Sequence, residues 1–93
     1  INLPKVSGKN ADKFFSKFYE SLSIINFETK VVKEFKYFGS NRWDIILKDN
    51  KVIKLPSMNY KNSLKNFLQI YQKNEFKNFK VFDFRINGQL VLQ

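Results

Sequence analysis

Hydrophobic and polar residues follow two rhythms along this chain, and the switches between them outline its elements. After Leu3-Pro4 and Gly8, Asn10 stands where it could cap a helix whose apolar side is Ala11, Phe14, Phe15, Phe18, Leu22 and Ile25. That three-and-four spacing predicts an amphipathic helix over about residues 11–23. From Lys30 to Phe38, Val31, Val32, Phe35, Tyr37 and Phe38 lie among lysines in imperfect alternation, until Gly39-Ser40-Asn41 interrupts them. A strand and a turn are expected there. Trp43, Ile45 and Leu47 then alternate with Asp44, Ile46 and Lys48, Asp49-Asn50 provides a turn, and Val52 to Leu55 returns as far as Pro56. This predicts a β-hairpin with one apolar face.

Ser57 and Asn59 are candidate caps for a second amphipathic helix, with Leu64, Phe67, Leu68 and Tyr71 on one side. From Lys80 the period becomes two. Phe82, Phe84 and Ile86 occupy one face, and Val81, Asp83 and Arg85 the other. Asn87-Gly88 is a strong hairpin signal, and Gln89 to Gln93 is long enough for a last strand carrying Leu90 and Leu92 on one face. The predicted order is helix, three strands, helix, two strands. The fold class is therefore α+β: a single domain over residues 1–93, with an antiparallel sheet of about five strands and both helices packed on one side of it. Burial is the reason, because the Phe and Leu stripes need an apolar surface and the alternating strands offer one.

Composition narrows the chemistry. At 93 residues with 43% hydrophobic side chains, the chain suits one core. No hydrophobic run approaches the roughly 20 residues of a membrane-spanning helix. The sequence begins at Ile1 rather than Met, and it reads as a piece of something longer. The absence of Cys and His removes thiol nucleophiles, disulfides, imidazole bases and nearly every zinc or haem site, so no catalytic, cofactor or metal residues are assigned. The carboxylates form no constellation. Asp44 faces away from Trp43, Asp49 belongs to a turn, and Asp12, Glu20, Glu28, Glu34 and Glu75 read as solvated charges beside lysines. Asp83 should face opposite Phe82 and Phe84 and pair with Arg85 on its own side of the strand.

The net charge of +9 suits nucleic acid, anionic lipid or an acidic protein. The aromatic and basic interleaving around Phe82, Phe84 and Arg85 has the look of a single-stranded nucleic-acid platform, but lysines are spread over every element and there are only two arginines. The first helix, with Lys13, Lys17 and its Phe stripe, has the pattern of a membrane-surface helix and equally that of a core helix. A short last strand leaves an unpaired sheet edge, which invites addition of a partner's strand.

Three segments carry a family resemblance: Leu3-Pro4-Lys5-Val6-Ser7-Gly8; Arg42-Trp43-Asp44-Ile45-Ile46-Leu47 with its Asp49-Asn50 turn and Lys54-Leu55 return; and Phe82-Asp83-Phe84-Arg85-Ile86-Asn87-Gly88-Gln89-Leu90-Val91. In order and spacing they resemble the C-terminal β domain of the FtsQ/DivIB cell-division family. The resemblance implies a non-enzymatic scaffold, anchored in the bacterial cytoplasmic membrane at the division septum. A transmembrane helix and a POTRA domain would precede this domain, which would lie on the extracytoplasmic side. It implies protein partners of FtsB/FtsL type, one of which pairs its backbone with the last strand and sets an acidic residue near arginines. It implies no cofactor, no nucleic acid and no small-molecule substrate.

On that resemblance the partner-binding residues are Arg85, Ile86, Asn87, Gly88, Gln89, Leu90, Val91 and Leu92, with Arg42 as a further contact. Arg85 matches the arginine of the family's Asp-x-Arg-Tyr segment, and Ile86 stands where tyrosine is usual. Arg42 directly precedes Trp43, whereas the family's arginine more often stands two or three residues before the tryptophan; in a strand, a one-residue offset reverses the face. Pro56 replaces a usual glycine after the hairpin.

Overall fold

The computed structural model describes residues 4–71, 73–86 and 89–93. Its elements are β1 (Lys5–Ser7), α1 (Ala11–Ile24), β2 (Val32–Tyr37), β3 (Trp43–Leu47), β4 (Val52–Lys54), α2 (Tyr60–Ile70), β5 (Val81–Ile86) and β6 (Gln89–Leu92), with single 3-10 turns at Thr29–Val31 and Asn74–Phe76. The six strands form one sheet in chain order. The pairs β2/β3, β3/β4 and β5/β6 are antiparallel, while β1/β2 and β4/β5 are parallel.

The sheet is thus mixed and six-stranded, where the hydrophobic pattern predicts about five antiparallel strands. The extra strand is β1, which is three residues long with Val6 as its one apolar side chain, too short to display an alternation. Parallel neighbours need a crossover of a dozen residues or more, and α1 and α2 with their flanking turns supply the two. Both crossovers leave strands that point the same way and step the same way along the sheet. Right-handed connections therefore put both helices on one face. There the Tyr60 hydroxyl donates to Ser21 Oγ at 2.9 Å, and the rings of Phe18 and Tyr60 lie 5.4 Å apart.

The core fills the space beneath the helices. Phe35, Ile45, Ile53 and Phe82 face it in one row across β2, β3, β4 and β5, and Phe18 and Leu22 of α1 and Leu64 and Phe67 of α2 close over the sheet. Phe18 stacks on Trp43 at 4.7 Å, and Phe67 meets Phe82 edge-on at 5.0 Å. Phe14 departs from the predicted stripe: it lies ~80° round the helix from Leu22, and its exposed ring leans on Tyr37. The imperfect alternation before Phe38 has a cause, since the register slips between Val32 and Glu34 and lets Val32, Phe35 and Tyr37 all reach the core.

The caps also differ from expectation. Asn10 and Asn59 do stand before the helices, but both are left-handed, at φ 65° and 60°, and neither side chain bonds its helix. Asparagine serves here as a residue that tolerates the turn. The Asn87-Gly88 hairpin turn lies outside the described residues.

Gly8 holds the passage from β1 into α1. Its φ is +111°, and a Cβ placed on it would stand 2.2 Å from the Tyr37 carbonyl oxygen. Replacing it by alanine opposes both the backbone angle and the β1/β2 packing. Gly8→Ala is expected to destabilise the domain by about 1–3 kcal/mol, read as a lower denaturant midpoint at unchanged m-value. Gly39→Ala serves as the comparison, since its φ is +90° but nothing stands within 4 Å of the added Cβ.

Candidate partner-binding edge and arginine face

The face of the sheet away from the helices carries a row of side chains set by strand register. Ser7, Lys36, Asp44, Lys54, Asp83 and Val91 are successive neighbours from β1 to β6. Four charges therefore alternate in sign across β2, β3, β4 and β5, as opposite-charge cross-strand pairs favour. At the two acids the row recruits arginines. Arg42 Nη2 donates to Asp44 Oδ1 at 2.8 Å and its Nη1 donates to the Leu55 carbonyl at 3.2 Å. Arg85 grips Asp83 through Nε at 2.9 and 3.1 Å and Nη2 at 2.7 Å, and its backbone N–H donates to the same carboxylate at 2.9 Å.

The two acids feel different balances. For Asp83, the side-chain hydrogen bond from Arg85 outweighs the burial that opposes it, so its carboxyl is held below the ordinary value of 3.8. For Asp44, burial dominates and pushes the carboxyl above 3.8, with attraction and hydrogen bonding from Arg42 offsetting only part. Asp44 and Asp83 are each 6% exposed. Asp44 faces away from Trp43, as the alternation predicts, yet it is no solvated surface charge, because Arg42 and the neighbouring strands cover it. Glu34 is likewise engaged, accepting a hydrogen bond from the Ser7 hydroxyl.

The structure brings Arg42 and Arg85 to the same face. Arg42 lies in the turn before β3, outside the pleat, so the one-residue offset does not dictate its side; its guanidinium folds back onto Asp44. Arg85 pairs with Asp83 as expected and keeps its side chain 45% exposed. It also borders an open, amide-rich cleft of about 500 Å3, with Pro56, Asn59, Asn62 and Asn66 among its lining. Ile86, Gln89 and Val91 are exposed, whereas Leu90 and Leu92 lean onto the core; Asn87 and Gly88 lie outside the described residues. The contribution of Lys36, Asp44 and Lys54 was missed from sequence. Each lies next to a core residue in its strand, but only register shows that they share a row.

β6 ends the sheet, with β5 as its neighbour. Val81 and Gln93 exchange both backbone hydrogen bonds at 3.1 Å. In an antiparallel pair such exchanges alternate, so at Leu92, opposite Phe82, the N–H and C=O point away from β5. Phe82 and Phe84 point the other way, buried under the helices, and so form no stacking platform for nucleic-acid bases. Among the described residues no group of three metal-ligating side chains converges, and no helix is long and apolar enough to cross a membrane.

The domain is thus a mixed sheet with both helices on one face, two arginine–carboxylate pairs on the other and β6 as its last strand. A family model described as the C-terminal region of the cell division protein FtsQ/DivIB matches residues 1–85. The chain belongs to this family. It is 27% identical over 95 residues to the cell division protein FtsQ of Bradyrhizobium diazoefficiens, covering 100% of this chain and 28% of that protein. The chain thus spans little more than a quarter of that relative's length, and the family match ends at Arg85.

The opposite shifts of the two acids give a pH signature. A depressed folded value at Asp83 contributes stability above the unfolded carboxylate range, and this is lost as pH falls through the folded value. The raised value at Asp44 acts in the opposite sense, with stability gained as pH falls through its folded value. An NMR titration of the side-chain carboxyl carbons should place Asp83 below 3.8 and Asp44 above it. Arg85→Ala should move the Asp83 midpoint upward while Asp44 stays above 3.8.

Proposed function

We propose that this chain is the extracytoplasmic interaction domain of a non-enzymatic cell-division scaffold, and that β6 accepts a strand from a partner of FtsB/FtsL type. The whole protein would be anchored in the bacterial cytoplasmic membrane at the division septum, with a membrane helix and a POTRA domain in the part that this chain does not span. The observation that carries the reading is the edge position of β6, with the Leu92 N–H and C=O directed outward. An incoming strand satisfies those groups, and each main-chain hydrogen bond adds a net ~0.5–1.5 kcal/mol.

Arg85 and Arg42 give the edge its selectivity. Asp83 orients the Arg85 guanidinium, whose exposed remainder is available to a carboxylate on the partner. Arg42, Lys54 and Lys36 extend the positive potential across the same face. Family membership supports a division role, and the net charge of +9 favours an acidic partner segment.

The test separates backbone from side chain at Leu92. Proline is tolerated on an edge strand where its missing N–H faces solvent, so Leu92→Pro removes the docking donor and leaves the β5 ladder intact. Leu92→Ala removes the same packing but keeps the donor. Titrated with the FtsB-type peptide of the same organism, Leu92→Pro should bind roughly fivefold more weakly than Leu92→Ala, the equivalent of ~1 kcal/mol. Arg85→Glu should weaken binding more than Lys65→Glu, on the exposed side of α2. Equal affinities for the proline and alanine variants would defeat strand addition, and equal effects of the two charge reversals would remove Arg85 as the anchor.

A further inference from the structure

Beyond the row formed by Ser7, Lys36, Asp44, Lys54 and Asp83, the like-directed strands β1, β2, β4 and β5 all run out at the same end of the domain. The segments at that end are Gly8–Ala11, the β2–β3 turn, the β4–α2 connection and the tip of β5. Three of the most exposed large apolar side chains of the fold sit on them: Phe38 at 57%, Met58 at 77% and Ile86 at 61% exposure. Phe14, on the first turns of α1, joins Phe38 in lining one open pocket, together with Lys9 and Asn10.

Phe14, Phe38, Met58 and Ile86 thus gather exposed apolar surface at one end of the fold, and gathered surface of this kind marks an interaction site. Their setting is cationic. Arg42 lies 4.8 Å over the Phe38 ring and ties that turn to Leu55, at the start of the segment that carries Met58. Arg42 and Arg85 are already paired with Asp44 and Asp83, leaving Lys9, Lys13 and Lys61 against Asp12 as the acid of these segments. Both helices also begin here, without side-chain caps, and add the positive ends of their dipoles.

Apolar tips projecting among lysines match an interface that is negatively charged outside and apolar just beneath. We propose that this end of the domain docks on an anionic lipid surface, with Phe38, Phe14 and Met58 entering the headgroup boundary and Lys9, Lys13 and Lys61 meeting lipid phosphates. The docking uses the turn end of the fold, whereas strand addition uses the side of β6, so each can fail without the other. Ile86 belongs to both surfaces and is left unaltered in the test.

The 93-residue chain contains no cysteine, so a single introduced thiol can carry a polarity-sensitive fluorophore. With vesicles of phosphatidylcholine mixed with phosphatidylglycerol, a label at Phe38→Cys should shift to the blue, and a label at Ile24→Cys, at the opposite end of α1, should not. In co-sedimentation with the same vesicles, binding should fall about tenfold in Phe38→Ser/Met58→Ser and in Lys9→Glu/Lys61→Glu, and should weaken with salt. Ile24→Ser/Lys30→Glu should bind as the parent does. Absence of binding to the mixed vesicles overturns the proposal. So do equal shifts at both labels, and so does undiminished binding of the Phe38/Met58 variant, which would assign the affinity to net charge alone. A shift at Phe38 that appears with the FtsB-type peptide and not with vesicles makes this end a protein interface and overturns it as well.

Discussion

The fold depends on one-sided burial, and its centre is the stack of Phe18 on Trp43. Trp43 opens β3 in the middle of the sheet, and Phe18 descends on it from α1 while touching Phe35 and Tyr60. One aromatic group thereby joins a strand, the first crossover helix and the second. Aromatic pairs of this kind add about 0.5–1.5 kcal/mol beyond the area they bury. Their larger effect is geometric, because they hold both helices on one face and leave the other face to the charged row.

The uncovered face is stabilised differently. Its acids and bases alternate across the strands, and the arginines that complete the pattern come from outside the regular pleat, Arg42 from a turn and Arg85 from within the register slip in β5. The price is the desolvation of Asp44, visible in its raised pKa. What results is a rigid, oriented display of guanidinium groups beside an open strand. Such a display suits recognition of an acidic, extended segment.

Three surfaces of the domain thus have separate physical characters. The side of β6 offers hydrogen-bonding groups, the helix-free face offers oriented charge, and the turn end offers apolar tips among lysines. Because their characters differ, a contact at one of them draws on different groups from a contact at another. The short β1 closes the opposite side of the sheet, where Gly8 lets the chain pass hard against Tyr37.

Most of the elements were legible in the residue pattern, since periods of 3.6 and 2 follow from local backbone geometry and burial of one face. Both helices, the Trp43–Leu55 hairpin and the final pair of strands lie where that pattern puts them, and the Asp83–Arg85 pair follows from two residues sharing one side of a strand. The family resemblance rested on the same segments and agrees with the match over residues 1–85. β1 was illegible, because three residues carry no period, and so was the parallel pairing, because direction belongs to pairs of strands. Only the tertiary structure decided that Lys36, Asp44, Lys54 and Asp83 form one row, that Arg42 reaches that row from its turn, and that Phe38 and Met58 come to the same end. Residues far apart along the chain become neighbours through register and crossover hand, and these are settled by the packing of the whole sheet.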